Sequence, residues 1–128
     1  MLEFLTLEDV LELHAGQIKR YGGSEGLRSG DLLQSAIAQP QVTFDGQFLH
    51  TDNFHMAASY LFHLVQNHPF VDGNKRIDLE TALVFLELND QSIEADDAEL
   101  VELVLGVAQG QIDKMQIAEF FRTHAVAP

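Results

Sequence analysis

The chain has 128 residues, enough for one compact domain, which we predict to span residues 1–128. Hydrophobic residues make up 46% of the chain, so it can bury a core. It has no apolar run of membrane-spanning length, no basic-then-apolar leader and no cysteine. We therefore expect a cytoplasmic protein without disulfides or membrane contact. The net charge of −13 argues against a direct nucleic-acid partner, because such affinity rests on lysine and arginine.

Capping residues and helix breakers divide the chain into about six helices. We predict them at about residues 7–20, 31–39, 53–67, 74–88, 96–110 and from 113 onward. Thr6 and Asp52 are suited to cap the first and third, and Asp113 with Gln116 has the capping-box pattern. Residues 41–52 surround Gly46 and predict a loop or a short hairpin.

Residues 74–88 are apolar nearly all round, which is typical of a helix surrounded by other helices. No segment longer than a few residues alternates convincingly as a strand. The predicted fold is therefore an all-α, compact helical bundle, with its central buried helix directly after residues 68–76.

Residues 68–76, with the sequence HPFVDGNKR, contain most of the residues that could form an active site. Gly73 and Asn74 allow a turn with positive φ, which directs backbone N–H groups and the positive end of the next helix toward an anion. Lys75 and Arg76 add two side-chain cations. Alone, Gly-Asn predicts only a turn and Lys-Arg only a solvated surface. At the start of a buried helix, the combination indicates phosphate binding.

His68 and Asp72 precede this turn, and both suit phosphoryl transfer. A neutral His68 can accept a proton from an attacking hydroxyl, and Asp72 can hold a divalent metal. Each also has a simpler interpretation, since a histidine at a helix end usually caps or packs and Asp is a favoured N-cap. The surrounding motif favours catalysis for His68. His14, on the apolar stripe of the first helix, is predicted to be a partly buried, hydrogen-bonded histidine.

The pattern His-x-Phe-x-Asp-Gly-Asn-Lys-Arg resembles the signature of the Fic family, in the form carried by its death-on-curing (Doc) branch. In adenylyl-transferring Fic enzymes a second Gly occupies the position of Lys75 and a second Arg that of Leu79, so both residues favour the Doc branch. The similarity covers most of the chain. Its other parts are His14, residues 20–23 (RYGG), residues 32–40 and residues 82–86 (ALVFL).

The resemblance implies a toxin that transfers the γ-phosphate of ATP, with Mg²⁺, to a Ser or Thr hydroxyl of a translation-related protein. It makes His68 the catalytic residue, Asp72 the metal ligand and residues 41–52 a candidate segment for aligning the target. The residues that it assigns to nucleotide phosphates are Gly73, Asn74, Lys75, Arg76 and Arg20. It also implies an antitoxin partner whose flexible tail folds on binding.

Two alternatives remain open, a Fic-type AMP transferase and a catalytically attenuated module that only binds an antitoxin. The second arises because Asp78 and Glu80 lie where Doc-like proteins commonly carry small or neutral residues. Their spacing allows Asp78 to pair with Lys75 and Glu80 with Arg76. Either these acids face away from the phosphate site, or they compete with nucleotide for its cations.

Overall fold

The computed structural model describes residues 2–126, so residue 1 and residues 127–128 of the predicted domain lie outside it. Six α-helices account for most of the described chain. They are α1 (Leu7–Tyr21), α2 (Gly30–Ala38), α3 (Asn53–Asn67), α4 (Asn74–Leu88), α5 (Asp97–Ala108) and α6 (Lys114–His124). The all-α prediction is confirmed, and within residues 2–126 no helix is both long and apolar enough to cross a bilayer.

The remaining elements are short. A single 3-10 turn, Gln39–Gln41, follows α2, and four two-residue strands form two antiparallel pairs. The strands are β1 (Thr43–Phe44) with β2 (Gln47–Phe48), and β3 (Ser92–Ile93) with β4 (Ala125–Val126). Residues 41–52 were predicted as a loop or a short hairpin, and the first pair shows that the hairpin is correct.

The predicted caps explain where three of the helices begin. The Thr6 hydroxyl accepts a hydrogen bond from the Asp9 N–H at 3.1 Å, and Asp52 and Asp113 accept equivalent bonds at the starts of α3 and α6. The second helix begins one residue earlier than predicted, because Ser29 rather than Asp31 provides its capping oxygen.

The helices share one hydrophobic core, in which α3 and α4 form the central pair. Helix α3 packs against α2, α4, α5 and α6, and α4 also packs against α1. The largest fully buried side chains on the central pair include Tyr60, Leu61 and Phe85. This core fixes the end of α3 and the start of α4, and therefore both ends of the motif loop, residues 68–73.

Candidate functional site

The motif loop and the first two turns of α4 border a pocket of about 690 Å³. This motif pocket is lined by every predicted site residue of residues 68–76: His68, Asp72, Gly73, Asn74, Lys75 and Arg76. Val71 of the motif loop, Val65 of α3, Asp78 of α4 and Ala108 of α5 complete the lining. The structure thus brings the His68 imidazole, the Asp72 carboxylate and the start of α4 together at one pocket.

Helix α4 begins in an unusual way. Its N-cap is Gly73, at φ 74° and ψ 13°, and no side chain within residues 2–126 accepts a hydrogen bond from its first turn. By contrast, α1, α2, α3 and α6 each have a side-chain oxygen in that position. The N–H groups of Asn74, Lys75 and Arg76 cannot bond within the helix, so the positive end of α4 is open at the motif pocket.

The side chain of Asn74 is used to hold the motif loop. Its Oδ1 accepts a hydrogen bond from the Phe70 N–H at 3.0 Å, and its Nδ2 donates one to the Phe70 carbonyl at 2.8 Å. Only the backbone N–H of Asn74 is therefore left for an anion.

Asp72 presents an exposed carboxylate beside the open helix end. Its Oδ1 accepts a hydrogen bond from the Gly73 N–H at 2.8 Å, and its Oδ2 accepts one from the Ser24 N–H at 3.2 Å. These bonds lower the pKa of Asp72, with the Gly73 bond contributing most, so the group is ionised at neutral pH. Because the N-cap of α4 is Gly73, the simple capping interpretation of Asp72 is wrong. The carboxylate remains accessible to a cation.

A close backbone approach makes this arrangement possible. Gly23 has a φ of 117°, and a Cβ atom added there would lie only 2.8 Å from Asp72 Oδ2. A larger residue would displace the carboxylate, so the glycine pair that ends α1 also helps to position Asp72.

His14 is buried under the motif loop. Its ring stacks on Phe70 with centroids 3.8 Å apart and planes 12° apart, and its Nε2 donates a hydrogen bond to the Asp72 carbonyl at 2.8 Å. Since a carbonyl can only accept, Nε2 must carry the proton. The structural interpretation of His14 is confirmed: it braces the backbone of Asp72.

Arg28 was not predicted as a site residue, yet it holds His68 in place. Its Nε donates to the His68 carbonyl and its Nη2 donates to the Asn67 carbonyl, both at 2.7 Å. His68 adopts a left-handed conformation, at φ 46° and ψ 58°, which is uncommon for a residue other than glycine. Arg28 therefore secures the turn that directs the chain from α3 into the loop.

The backbone around Arg28 forms a second clamp on the loop. The N–H groups of Arg28 and Ser29 both donate to the Pro69 carbonyl, at 2.7 and 3.0 Å, and Val71 N–H donates to the Gly26 carbonyl at 3.0 Å. In the sequence, Arg28 is marked only as one of seven basic residues in an acidic chain. Its contacts lie about 40 residues away, and no local pattern reveals them.

The predicted phosphate-binding cations differ in position. Lys75 and Arg76 are exposed at the motif pocket, and the Arg76 guanidinium lies over the ring of Tyr21, 4.8 Å from its centroid. Arg20 is also exposed but does not line the pocket, and its Nη2 lies along α1 near Gly16. The structure groups Lys75 and Arg76 with the motif and leaves Arg20 outside it.

Neither Asp78 nor Glu80 forms an ion pair with these cations in the described part of the chain. Glu80 accepts a hydrogen bond from Gln17 on α1 and so is directed elsewhere. Asp78 lines the motif pocket but is only 1% exposed, and burial raises its pKa well above the usual range. The predicted ion pairs with Lys75 and Arg76 are therefore wrong, and the alternative, in which the acids face away from the site, holds for Glu80 but not for Asp78.

Comparison with known proteins agrees with this geometry. A sequence model of the Fic/DOC family matches residues 4–86, which include α1 to α3, the motif loop and most of α4. The chain is similar to Protein kinase doc of Escherichia phage P1, with 32% identity over 121 residues and 94% of each chain covered. It is also similar to Toxin Doc of Mycolicibacterium smegmatis, with 41% identity over 96 residues that cover 75% of this chain and 72% of that protein. On these grounds the chain belongs to the Fic/Doc family, as its motif predicted.

Proposed function

We propose that this chain is a Doc-type toxin kinase that transfers the γ-phosphate of ATP to a Ser or Thr hydroxyl of a translation-related protein in the cytoplasm. The observation that carries the proposal is the open end of α4, which borders the same pocket as His68 and Asp72. The relatives' names, Protein kinase doc and Toxin Doc, support the activity and the role as a toxin.

The motif pocket fits the phosphates of a nucleotide. The backbone N–H groups of Asn74, Lys75 and Arg76 have no other acceptor among the described residues, and the side chains of Lys75 and Arg76 add positive charge. Gly73 leaves the approach clear because it has no side chain. Arg20 would reach a phosphate only by leaving its position along α1, so its predicted role is the least supported of the set.

Mg²⁺ fits the same site through Asp72. No group of three His, Cys, Asp or Glu side chains within residues 2–126 could hold a metal. The ligand that the motif pocket offers is the ionised carboxylate of Asp72. One or two carboxylates, together with phosphate oxygens and water, are the usual ligands of Mg²⁺ at nucleotide sites. A bound Mg²⁺ would neutralise charge on the phosphates.

His68 provides the proton acceptor. The hydroxyl oxygen of the target forms a bond to the γ-phosphorus while the bond from that phosphorus to the bridging oxygen of ADP breaks, and His68 takes the hydroxyl proton. The Arg28 side chain and the hydrogen bonds to the Pro69 carbonyl hold the backbone at His68 and directly after it. The pocket thus supplies positioning and charge stabilisation, on which phosphoryl transfer mainly depends.

The decisive experiment uses bacterial extract and ATP labelled separately at the α and γ phosphates. We expect the γ label alone to remain on a single protein, with a mass gain of one phosphate. His68→Ala should abolish the signal, whereas His55→Ala, a histidine outside the motif pocket, should keep it. Retention of the α label would instead establish nucleotide transfer.

We also propose an antitoxin partner whose flexible tail folds on this chain, as expected for a relative of Toxin Doc. Co-expression with a small neighbouring reading frame should relieve growth arrest and yield a co-purifying complex. A chain that binds this partner but neither binds ATP–Mg²⁺ nor transfers a label would be an attenuated family member.

A further inference from the structure

Asp78 is a buried acid that the fold leaves unsatisfied. Its side chain is 1% exposed, and its Oδ1 has no hydrogen-bond partner and no paired cation within residues 2–126. The neighbouring acid Glu80 differs, because Gln17 donates to it. A buried polar atom without a partner costs folding free energy, and this one belongs to a side chain that also lines the motif pocket.

The position of Asp78 relates it to the open end of α4. Asp78 lies one turn after Asn74, and side chains on an α-helix lean toward its amino-terminal end. It lines the motif pocket together with Lys75 and Arg76. An anion held by the first-turn N–H groups would therefore lie on the side toward which the carboxyl leans.

The surroundings of Asp78 decide which hydrogen bond it can make. Val65 and Ala108 contribute apolar lining, and no cation of residues 2–126 is paired with the carboxyl, so burial favours its neutral form. A neutral carboxyl has an O–H donor, whereas an ionised one can only accept. A phosphate in this pocket would meet a donor at Asp78 and not a second negative charge.

We propose that Asp78 is a further phosphate-binding residue of the motif pocket, whose carboxyl O–H donates a hydrogen bond to a phosphate oxygen held at the open end of α4. This inference rests on the proposed function and adds a specific recognition contact to it.

The test is calorimetric titration of the folded chain with Mg²⁺–ATP and with Mg²⁺–tripolyphosphate, which lacks the sugar and base. Asp78→Leu removes the donor, and we expect both ligands to bind about tenfold more weakly, as for the loss of a hydrogen bond to a charged group. Asp78→Asn is the matched control, because its amide keeps a donor and cannot ionise. It should bind within about threefold of the unchanged chain.

Three results would overturn the inference. They are wild-type affinity in Asp78→Leu, an equal loss in Asp78→Asn, and a loss seen with ATP but not with tripolyphosphate. The last would place the contact on the nucleoside. If the unchanged chain binds neither ligand, the proposed function fails as well; if it transfers the γ label while Asp78→Leu binds normally, only this inference fails.

Stability provides an independent measurement. Replacing an unpaired buried acid by leucine should leave the melting temperature unchanged or raise it, so weaker binding could not be attributed to unfolding. Asp78→Ala is a second variant should leucine not fit, and it should show the same weakening of both ligands. A stable variant that binds poorly is the expected signature of a binding residue.

Discussion

Arg28 offers the sharpest test of how the site is held, because it contacts the motif loop without lining the motif pocket. Arg28→Ala removes two 2.7 Å hydrogen bonds, to the carbonyls of Asn67 and His68. A bond from a charged donor contributes about 1.5–3 kcal/mol when shielded from water. Since Arg28 is exposed, water can partly replace it, and we expect a loss of about 2 kcal/mol in all. For a chain of this size that lowers the melting temperature by about 7 °C.

Arg28→Ala should also lower the rate of transfer. His68 would lose the contact that holds its left-handed backbone, and a catalytic group displaced by about 1 Å can cost about 100-fold in rate. We expect kcat to fall at least about tenfold while ATP affinity stays nearly unchanged, since the proposed phosphate site lies at the start of α4 and not at Arg28. Transfer of the γ label under saturating ATP, together with calorimetric titration, separates the two.

Two control variants sharpen this test. Arg28→Lys keeps the charge but can reach only one carbonyl, so an intermediate kcat is expected. Arg122→Ala removes an arginine that pairs with Asp52 and Glu119 at the surface, and it should leave kcat unchanged. Wild-type kcat in Arg28→Ala, or an equal fall in kcat and ATP affinity, would refute the positioning role.

Substitutions at three further residues test the motif loop and the start of α4. Asn74→Ala should cost about 2 kcal/mol in urea unfolding, because both bonds to Phe70 are lost, and Asn74→Asp, which keeps only the acceptor, should cost less. Gly73→Ala should cost about 1–2 kcal/mol, since φ is 74° and the new Cβ would lie 3.3 Å from Ile18 Cδ1; an unchanged midpoint would contradict the observed backbone. Asp72 has a depressed pKa, so it stabilises the fold above its unfolded pKa of about 4, and this contribution is lost as pH falls through the folded value. Asp72→Asn should therefore flatten the acid limb of the stability curve.

The sequence predicted the helices well because their signals are local. Thr6 and Asp113 each cap a helix by accepting a hydrogen bond from the residue three positions later. This spacing is visible in the sequence itself. The start of α2 was predicted one residue late, at about residue 31, although Ser29 is a residue type that favours the N-cap. A distant contact favours Ser29, whose N–H also bonds to Pro69 on the motif loop.

The site was predictable only where it is contiguous. His68 and Asp72 belong to one nine-residue motif, whereas Ser24 and Arg28 reach the loop from 48 and 40 residues away. Asp78 was open to prediction in part. It shares helical spacing with the buried Ala82 and Phe85, but its charge suggested a surface position that the packing of α4 overrides.

The hydrogen bonds of the motif loop show why the N–H groups at the start of α4, which lack an acceptor within residues 2–126, are informative. Most polar backbone groups of the loop have partners supplied by other segments. The carbonyls of His68, Pro69, Phe70 and Asp72 and the N–H groups of Phe70, Val71 and Gly73 are all bonded. Buried or half-buried backbone groups are rarely left without partners.

Against that background, the first turn of α4 differs from the loop, because no side chain within residues 2–126 accepts a hydrogen bond from its N–H groups. Side chains cap α1 and α3 from residues with an extended backbone, whereas position 73 has a φ of 74° that favours glycine, which has no capping side chain. Glycine there gives up the stability of a cap and leaves the helix end available. The same reasoning applies to Asp78, which gives up stability by remaining unpaired beside that helix end. The uncapped start of α4 and the buried Asp78 both cost stability at the same pocket. Such costs are expected where a fold keeps binding groups free for a phosphate ligand.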